Sequence, residues 1–198
     1  MNLTGVQCGI DEAGRGPLAG PVYAAAVVLP EGFPMHILND SKKLTEKKRE
    51  EAAAVIRAQA SFGVAFATHA EIDEINILQA SLLAMRRAFD ALASAFPDTA
   101  CRITEAIVDG TFDPWKGIEA AGPCSVQPVP KADATVFAVM AASILAKTAR
   151  DARMYELAGL YPCYQFEKHK GYPTALHREL IARYGLSPIH RRSFRVKN

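Results

Sequence analysis

Gly9-Ile10-Asp11-Glu12-Ala13-Gly14-Arg15-Gly16-Pro17-Leu18-Ala19-Gly20-Pro21 is the stretch on which the reading of this chain turns. Before it, Val6 to Ile10 is short, apolar and suited to a pleated strand; after it, Gly14, Gly16, Gly20, Pro17 and Pro21 forbid a helix. The adjacent carboxylates Asp11 and Glu12 are therefore expected at a strand's end. Arg15 stands between two residues without side chains, so a phosphate or sugar can approach bare amides while the guanidinium forks onto oxygen. Neighbouring residues of a regular strand point to opposite faces, so the two acids share one site only if the strand ends or twists there. An Asp-Glu pair before a glycine turn also serves purely structural loops, and its chemical meaning depends on what the rest of the chain brings to it.

Outward from this stretch, Val22 to Leu29 is an apolar run that suits a buried strand, paired with the first in a hairpin-like way. Thr45 begins a charged helix through about Gln59, with Ala52, Ala53, Val55 and Ile56 facing inward. Phe62 to Thr68 reads as a third strand, in which Phe62, Val64 and Phe66 alternate with small residues. Ile75, Leu78, Leu82, Met85, Phe89, Leu92 and Phe96 recur in steps of three and four, one apolar stripe of a long helix laid on the sheet, with Arg86, Arg87 and Asp90 facing solvent. Pro97 and Asp98 end it. Ala106-Ile107-Val108 then delivers Asp109 to the edge of a buried strand, before Gly110, where open α/β sheets place their sites. Ser125 to Val129 is an edge strand, because Pro128 cannot donate to a ladder.

Lys131-Ala132-Asp133-Ala134 opens a helix running to about Leu157 and puts Asp133 in its first turn. Alone, Asp133 is a cap or a partner of the helix dipole. Beside Asp11, Glu12 and Asp109 it becomes the fourth member of an acid set. Thr174 caps a last short helix to Tyr184, stopped by Gly185.

A chain of 198 residues with 49% hydrophobic content fits one domain over residues 1–198. The first residues carry no leader-like pattern and no run reaches the ~20 apolar residues of a membrane span, which predicts a soluble, cytoplasmic protein without membrane contact. Cys8, Cys101, Cys124 and Cys163 lie far apart and without histidines at ligand spacing, which argues against zinc and for buried reduced thiols. The net charge of +2 hides an asymmetry: from Lys168 onward eight Lys or Arg stand against Glu179 alone, +7, leaving −5 elsewhere. Residues from about 160 to 198 thus read as a basic, nucleic-acid-contacting region beside an acidic body.

Four carboxylates without Cys or His partners suit Mg²⁺ or Mn²⁺. Two such ions serve phosphodiester hydrolysis, one activating a water and the other stabilising the leaving 3′ oxygen.

Four segments carry a resemblance that covers nearly the whole chain. Gly9 to Pro17, Asp40-Ser41-Lys42-Lys43-Leu44, Ala141-Ala142-Ser143-Ile144-Leu145-Ala146-Lys147 and His169-Lys170-Gly171-Tyr172 resemble, in order, the signature segments of ribonuclease HII. The resemblance implies an α/β, ribonuclease H-like mixed β-sheet flanked by helices, with a small helical C-terminal region. It implies metal and catalytic roles for Asp11, Glu12, Asp109 and Asp133. It also implies that Gly14, Arg15 and Gly16 contact the ribonucleotide at an RNA to DNA junction while Tyr172 stacks on the following deoxyribose. The substrates it implies are RNA/DNA hybrids and duplex DNA carrying ribonucleotides, cut on the 5′ side of the ribonucleotide to leave a 3′-hydroxyl and a 5′-phosphate. Lys42, Lys43, Lys147, Arg191 and Arg192 are candidates for phosphate contacts, which give position without sequence reading. His169, His177 and His190 are assigned no chemistry, and the protein is expected to act as a monomer. The chain departs from the family pattern at Thr111, at Gln165, where a glycine is common, and in the long stretch from Phe112 to Val129. The competing readings are an inert hybrid-binding module and a different metal nuclease. In exonucleases of that second kind the first two acids usually lie one residue apart, whereas here they are adjacent.

Overall fold

The computed structural model describes residues 5–39, 41, 44–118, 122–123 and 125–195. Five strands, β1 (Val6–Ala13), β2 (Val22–Val28), β3 (Ser61–Ala67), β4 (Ile103–Asp109) and β5 (Val126–Val129), form one mixed sheet in the order β3-β2-β1-β4-β5. β1 pairs antiparallel with β2 and parallel with β4, and β5 closes the far edge parallel to β4. The first strand is thus central, covered by a neighbour on each side, which is why Cys8 to Asp11 are all buried. It also runs on through Asp11 and Glu12 to Ala13 rather than stopping at Ile10. The two acids are therefore part of the ladder, opposite Ala25 and Ala24 of β2, and alternate across the sheet.

One face is covered by α2 (His69–Ala95) and the other by α1 (Glu46–Gln59) and α4 (Phe137–Leu160). α1 begins at the Thr45 cap as the sequence predicts, and Thr68 caps α2 with Glu71 reciprocating. The stripe on α2 differs from expectation. Its fully covered positions include Ala80, Ala84 and Ala88 beside Met85, Phe89 and Leu92, while Leu78 and Leu82 are only half-buried. Alanines let the helix sit close to β3, where Gly63 leaves no room for a side chain against the α2 backbone. The small residues of β3 face α2, Phe62 and Val64 pack on the α1 side, and Phe66, 44% exposed, stacks on Tyr23. Arg86 is half-buried instead of solvent-facing, because its guanidinium donates to the Pro114 carbonyl at 2.6 Å.

A short helix, α3 (Pro97–Ala100), leads into β4. Asp133 is not in the first turn of α4. Lys131 adopts a left-handed backbone (φ 61°), Ala132–Ala134 make a separate 3-10 turn, and extended Val136 starts the helix afresh. After α4, α5 (Phe166–His169) and α6 (Ala175–Tyr184) pack with Met154, Leu157, Tyr164 and Ile189 into a second small core, and Thr174 and Gly185 bound α6 as read. Cys8 is a buried free thiol, but Cys101 and Cys163 are free and exposed, each lying in a surface turn; Cys124 is outside the described residues. Among the described residues no helix is long and apolar enough to cross a membrane.

Candidate active site

Asp11 lies on the α4 face of β1, in line with Gly9, where a side chain would overlap the backbone of Ala138 and Val139. That close approach brings the start of α4 onto the strand. Ile10 aligns with Val108 on parallel β4, so Asp11 and Asp109 are the next residues on two adjacent strands, at their carboxyl ends. Asp133 reaches the same point from its 3-10 turn, set beside β4 by the packing of Ile107, Ala132 and Val139. One carboxylate oxygen from each of Asp11, Asp109 and Asp133 lies within 4.8 Å of the others. Asp11 and Asp133 are buried and Asp109 is half-buried.

Crowding has an electrostatic cost that is visible at Asp11. Burial first, then the charge of Glu12, and further the charge of Asp109, raise its proton affinity well above the ordinary carboxylate range. A hydrogen bond from Ser143 and one from the Glu12 amide, at 2.7 Å to Oδ1, pull the other way. A divalent cation relieves such a trio, and an all-oxygen donor set fits a hard ion of the Mg²⁺ or Mn²⁺ type. Glu12 is outside the trio. Its carboxylate is on the α2 face, 3.5 Å from Arg15, and borders with Asp109 and Gly110 a cleft of about 150 Å³.

A second cleft, of about 230 Å³, opens between Glu12, the Gly14-Arg15-Gly16 loop, Ser143, Lys147 and Tyr172, and adjoins the trio at Ser143, which bonds Asp11. Gly14 has φ +103°, and a side chain there would run into the Arg150 guanidinium, so this position requires glycine twice over. Tyr172 is 38% exposed, with Lys147 Nζ 5.7 Å and Arg150 Cζ 5.6 Å from its ring centre. Lys147 also pairs with Asp151 at 2.6 Å, and burial lowers its proton affinity. Lys42 and Lys43 are outside the described residues.

Arg191 corrects the sequence reading. It is 2% exposed, and its guanidinium donates to the carbonyls of Gly14 (2.6 Å), Arg15 (2.9 Å), Gly20 (2.9 Å) and Pro21 (3.2 Å), so no donor face is left for a phosphate. Arg150, fully buried, bonds the carbonyls of Ala19, Pro21 and Lys170. Together the two arginines fasten the loop from behind. Sequence reasoning missed this pair, and also a network in which Ser41 meets Ser143 at 2.9 Å while Arg49 joins the Ser41 carbonyl (3.0 Å) to Asp151 (3.3 Å). The available signal was the spacing of Ser143, Lys147 and Asp151, four residues apart on one face of α4.

A family model for ribonuclease HII matches residues 8–197. The chain belongs to the ribonuclease HII family. It is 52% identical over 200 residues to a ribonuclease HII of Treponema denticola, covering 96% of this chain and 98% of that one. Among solved structures it is similar to the ribonuclease H2 from Pyrococcus horikoshii OT3, with a TM-score of 0.72 at 28% identity over 96% of this chain and 94% of that one. It also shares the fold of Bst-RNase HIII in complex with Mn²⁺, with a TM-score of 0.79 at 19% identity over 96% of this chain and 67% of that one. Family membership makes the protein a metal-dependent endoribonuclease, a hydrolase active on RNA/DNA hybrids. The mixed sheet flanked by helices is the ribonuclease H fold that the four sequence segments implied.

Proposed function

We propose that this enzyme cleaves the RNA strand of hybrids and also cuts duplex DNA 5′ to a single embedded ribonucleotide, leaving a 3′-hydroxyl and a 5′-phosphate. Its task is the removal of ribonucleotides misincorporated into DNA. The observation that carries the reading is the placement of a glycine-flanked arginine loop across a narrow cleft from Tyr172, joined to the Asp11, Asp109 and Asp133 trio through Ser143, which lines the cleft and bonds Asp11. The 2′-hydroxyl is donor and acceptor together, and a loop lined by backbone reads such a group at close range. Gly14, Arg15 and Gly16 hold the ribonucleotide, and the Tyr172 ring lies over the deoxyribose that follows.

Asp11, Asp109 and Asp133 would hold a divalent ion, with Glu12 as a further oxygen donor beside Asp109. Bound Mg²⁺ or Mn²⁺ supplies water activation and stabilises charge on the phosphate and the leaving oxygen. Ser143 keeps the Asp11 carboxyl oriented and favours its ionised form. Lys147 beside the cleft, with Lys42, Lys43 and the basic region from about residue 160 onward, contacts phosphates. The whole chain acts as one catalytic unit, monomeric and cytoplasmic.

The test is cleavage of a labelled DNA duplex with one internal ribonucleotide, in Mg²⁺ or Mn²⁺, comparing the enzyme with Asp109→Asn. One metal-dependent cut 5′ to the ribonucleotide is expected, and the variant should lose roughly two orders of magnitude or more in rate. Binding without a cut in either metal would sink this reading. Cutting of all-DNA duplex would remove Gly14, Arg15, Gly16 and Tyr172 from the recognition role.

A further inference from the structure

Behind Tyr172 three histidines are packed together: His169 at the end of α5, His177 in the first turn of α6, and His190 in the segment that leads to Arg191. All three are buried. The rings of His169 and His177 stack with centres 4.2 Å apart and planes 18° apart, and His190 lies 5.2 Å from His177. Phe166 closes the cluster against His177 and His190.

The hydrogen bonds fix the proton on every ring. The Ser187 N–H donates to His190 Nδ1 at 2.8 Å, so that nitrogen is bare and the proton of His190 is on Nε2. This proton faces His177 Nε2 at 3.1 Å, which must accept it. The proton of His177 is then on Nδ1, from which it donates to the carbonyl oxygen of Tyr172 at 3.0 Å. In parallel, the Gly171 N–H donates to His169 Nδ1 at 3.2 Å, and His169 Nε2 donates to the Tyr164 carbonyl at 2.8 Å. One neutral tautomer of each ring satisfies all six nitrogens. Burial, the first cause in each case, pushes His177 and His190 down to about 4, so both are neutral in the physiological range.

We infer that His177, with His190 behind it, is a positioning residue for Tyr172, and that this relay sets the enzyme's preference for the junction between ribose and deoxyribose. The inference rests on the role given to Tyr172 above. The turn that carries Tyr172 needs holding: Lys170 and Gly171 are both left-handed (φ 50° and 81°), and Pro173 confines Tyr172 to extended backbone. On the ring side the neighbours are the cations Lys147 and Arg150, each more than 5 Å from the ring centre, and the Gly16 backbone, where an added Cβ would stand 3.7 Å from the ring. The backbone that carries the ring is therefore held at its carbonyl, which accepts from His177 Nδ1 at 3.0 Å and from the Thr174 amide at 2.8 Å. A cluster needed for packing alone requires no particular tautomer, and apolar side chains fill such a volume without desolvating six ring nitrogens.

The experiment measures kcat/KM on two substrates, the single-ribonucleotide duplex and a continuous RNA/DNA hybrid, for the wild type, Tyr172→Ala, His177→Leu, His177→Asn and the double variant Tyr172→Ala with His177→Leu. Leucine fills the volume without a donor, and the asparagine amide replaces Nδ1 alone. His177→Leu should lower the ratio of single-ribonucleotide to hybrid cleavage about tenfold, as Tyr172→Ala does, and the two losses should not add in the double variant. His177→Asn should restore the ratio to within about threefold. A ratio unchanged in His177→Leu but changed in Tyr172→Ala overturns the relay and leaves the Tyr172 role standing. A ratio unchanged in Tyr172→Ala overturns that role, and the relay's function with it. If His177→Leu fails to fold, nitrogen-15 NMR of the wild-type histidine rings decides the mechanism: protonated Nδ1 and bare Nε2 on His177 support it, and the opposite tautomer overturns it.

Discussion

At the scale of single residues, Arg191 shows how a basic side chain serves a nucleic-acid enzyme without touching nucleic acid. Its fork spans carbonyls from both ends of the Gly14 to Pro21 loop, a geometry that a point-like ammonium cannot reproduce. Burial, then the neighbouring charge of Arg150, pushes its proton affinity down to about 9, so it is still charged at neutral pH and the carbonyls neutralise it locally. Arg191→Lys keeps the charge but strands two or more of these acceptors. The expected cost is about 3 kcal/mol of stability, read as a lowered urea midpoint at unchanged slope. An unchanged midpoint would mean that the loop holds its shape without the fork. The sequence places Arg191 in a basic run and nothing in that run separates it from exposed Arg192, because burial of a cation depends on carbonyls supplied 170 residues earlier. The acids are the opposite case. Asp11 and Asp109 are legible because each ends a short apolar run before glycine, a local pattern that a sheet converts directly into position.

At the scale of elements, what was legible followed local chemistry and what was lost depended on packing. The caps Thr45 and Thr174 announced α1 and α6, and alternating or apolar runs gave all five strands to within a few residues. The start of α4 was misplaced because the left-handed turn at Lys131 has no glycine or asparagine to mark it. Gln165 likewise adopts a left-handed backbone, φ 51°, a conformation that glycine takes without strain. The alanine face of α2 was hidden because alanine contributes little to an apolar stripe yet packs closest. Nor did the periodicity foresee that α2 is interrupted at Asn76, whose φ of 66° and ψ of 165° lie in a region that glycine tolerates. The asparagine offsets this strain by accepting from the amides of Leu78 (3.0 Å) and Gln79 (3.2 Å), which makes it the cap of the second half of the helix. Asn76→Ala loses the cap and keeps the strain, and should cost about 1–2 kcal/mol by chemical unfolding. Asn76→Gly relieves the strain while losing the cap, so it should lie within about 0.5 kcal/mol of wild type. Equal losses in both variants would show that the break in α2 is not held by this residue.

At the scale of the whole molecule, a crowded acidic trio on the sheet and a buried neutral histidine cluster beneath the basic segment respond to acid in opposite directions. The folded His177 and His190 sit at about 4 against 6.5 in the unfolded chain, so between these values the unfolded state binds more protons. Their contribution is complete above pH 6.5 and is lost as the pH falls toward 4. Asp11, whose folded proton affinity is raised, has the reverse sign: without metal it weakens the fold at neutral pH and stops doing so once protonated. Glu71, pulled down to about 2 first by its hydrogen bond from Arg87, acts lower still, supporting the fold above 4.5 and failing between 4.5 and 2. These windows make the contributions separable in one titration of melting temperature in the presence of chelator. The wild type should lose stability from pH 6.5 to 4.5, by at least about 3 °C. His177→Leu should flatten that limb, whereas Glu71→Gln should leave it and flatten only the part below 4.5. A limb that survives His177→Leu unchanged would show that His177 is not held neutral in the folded protein and would overturn the tautomer assigned to it.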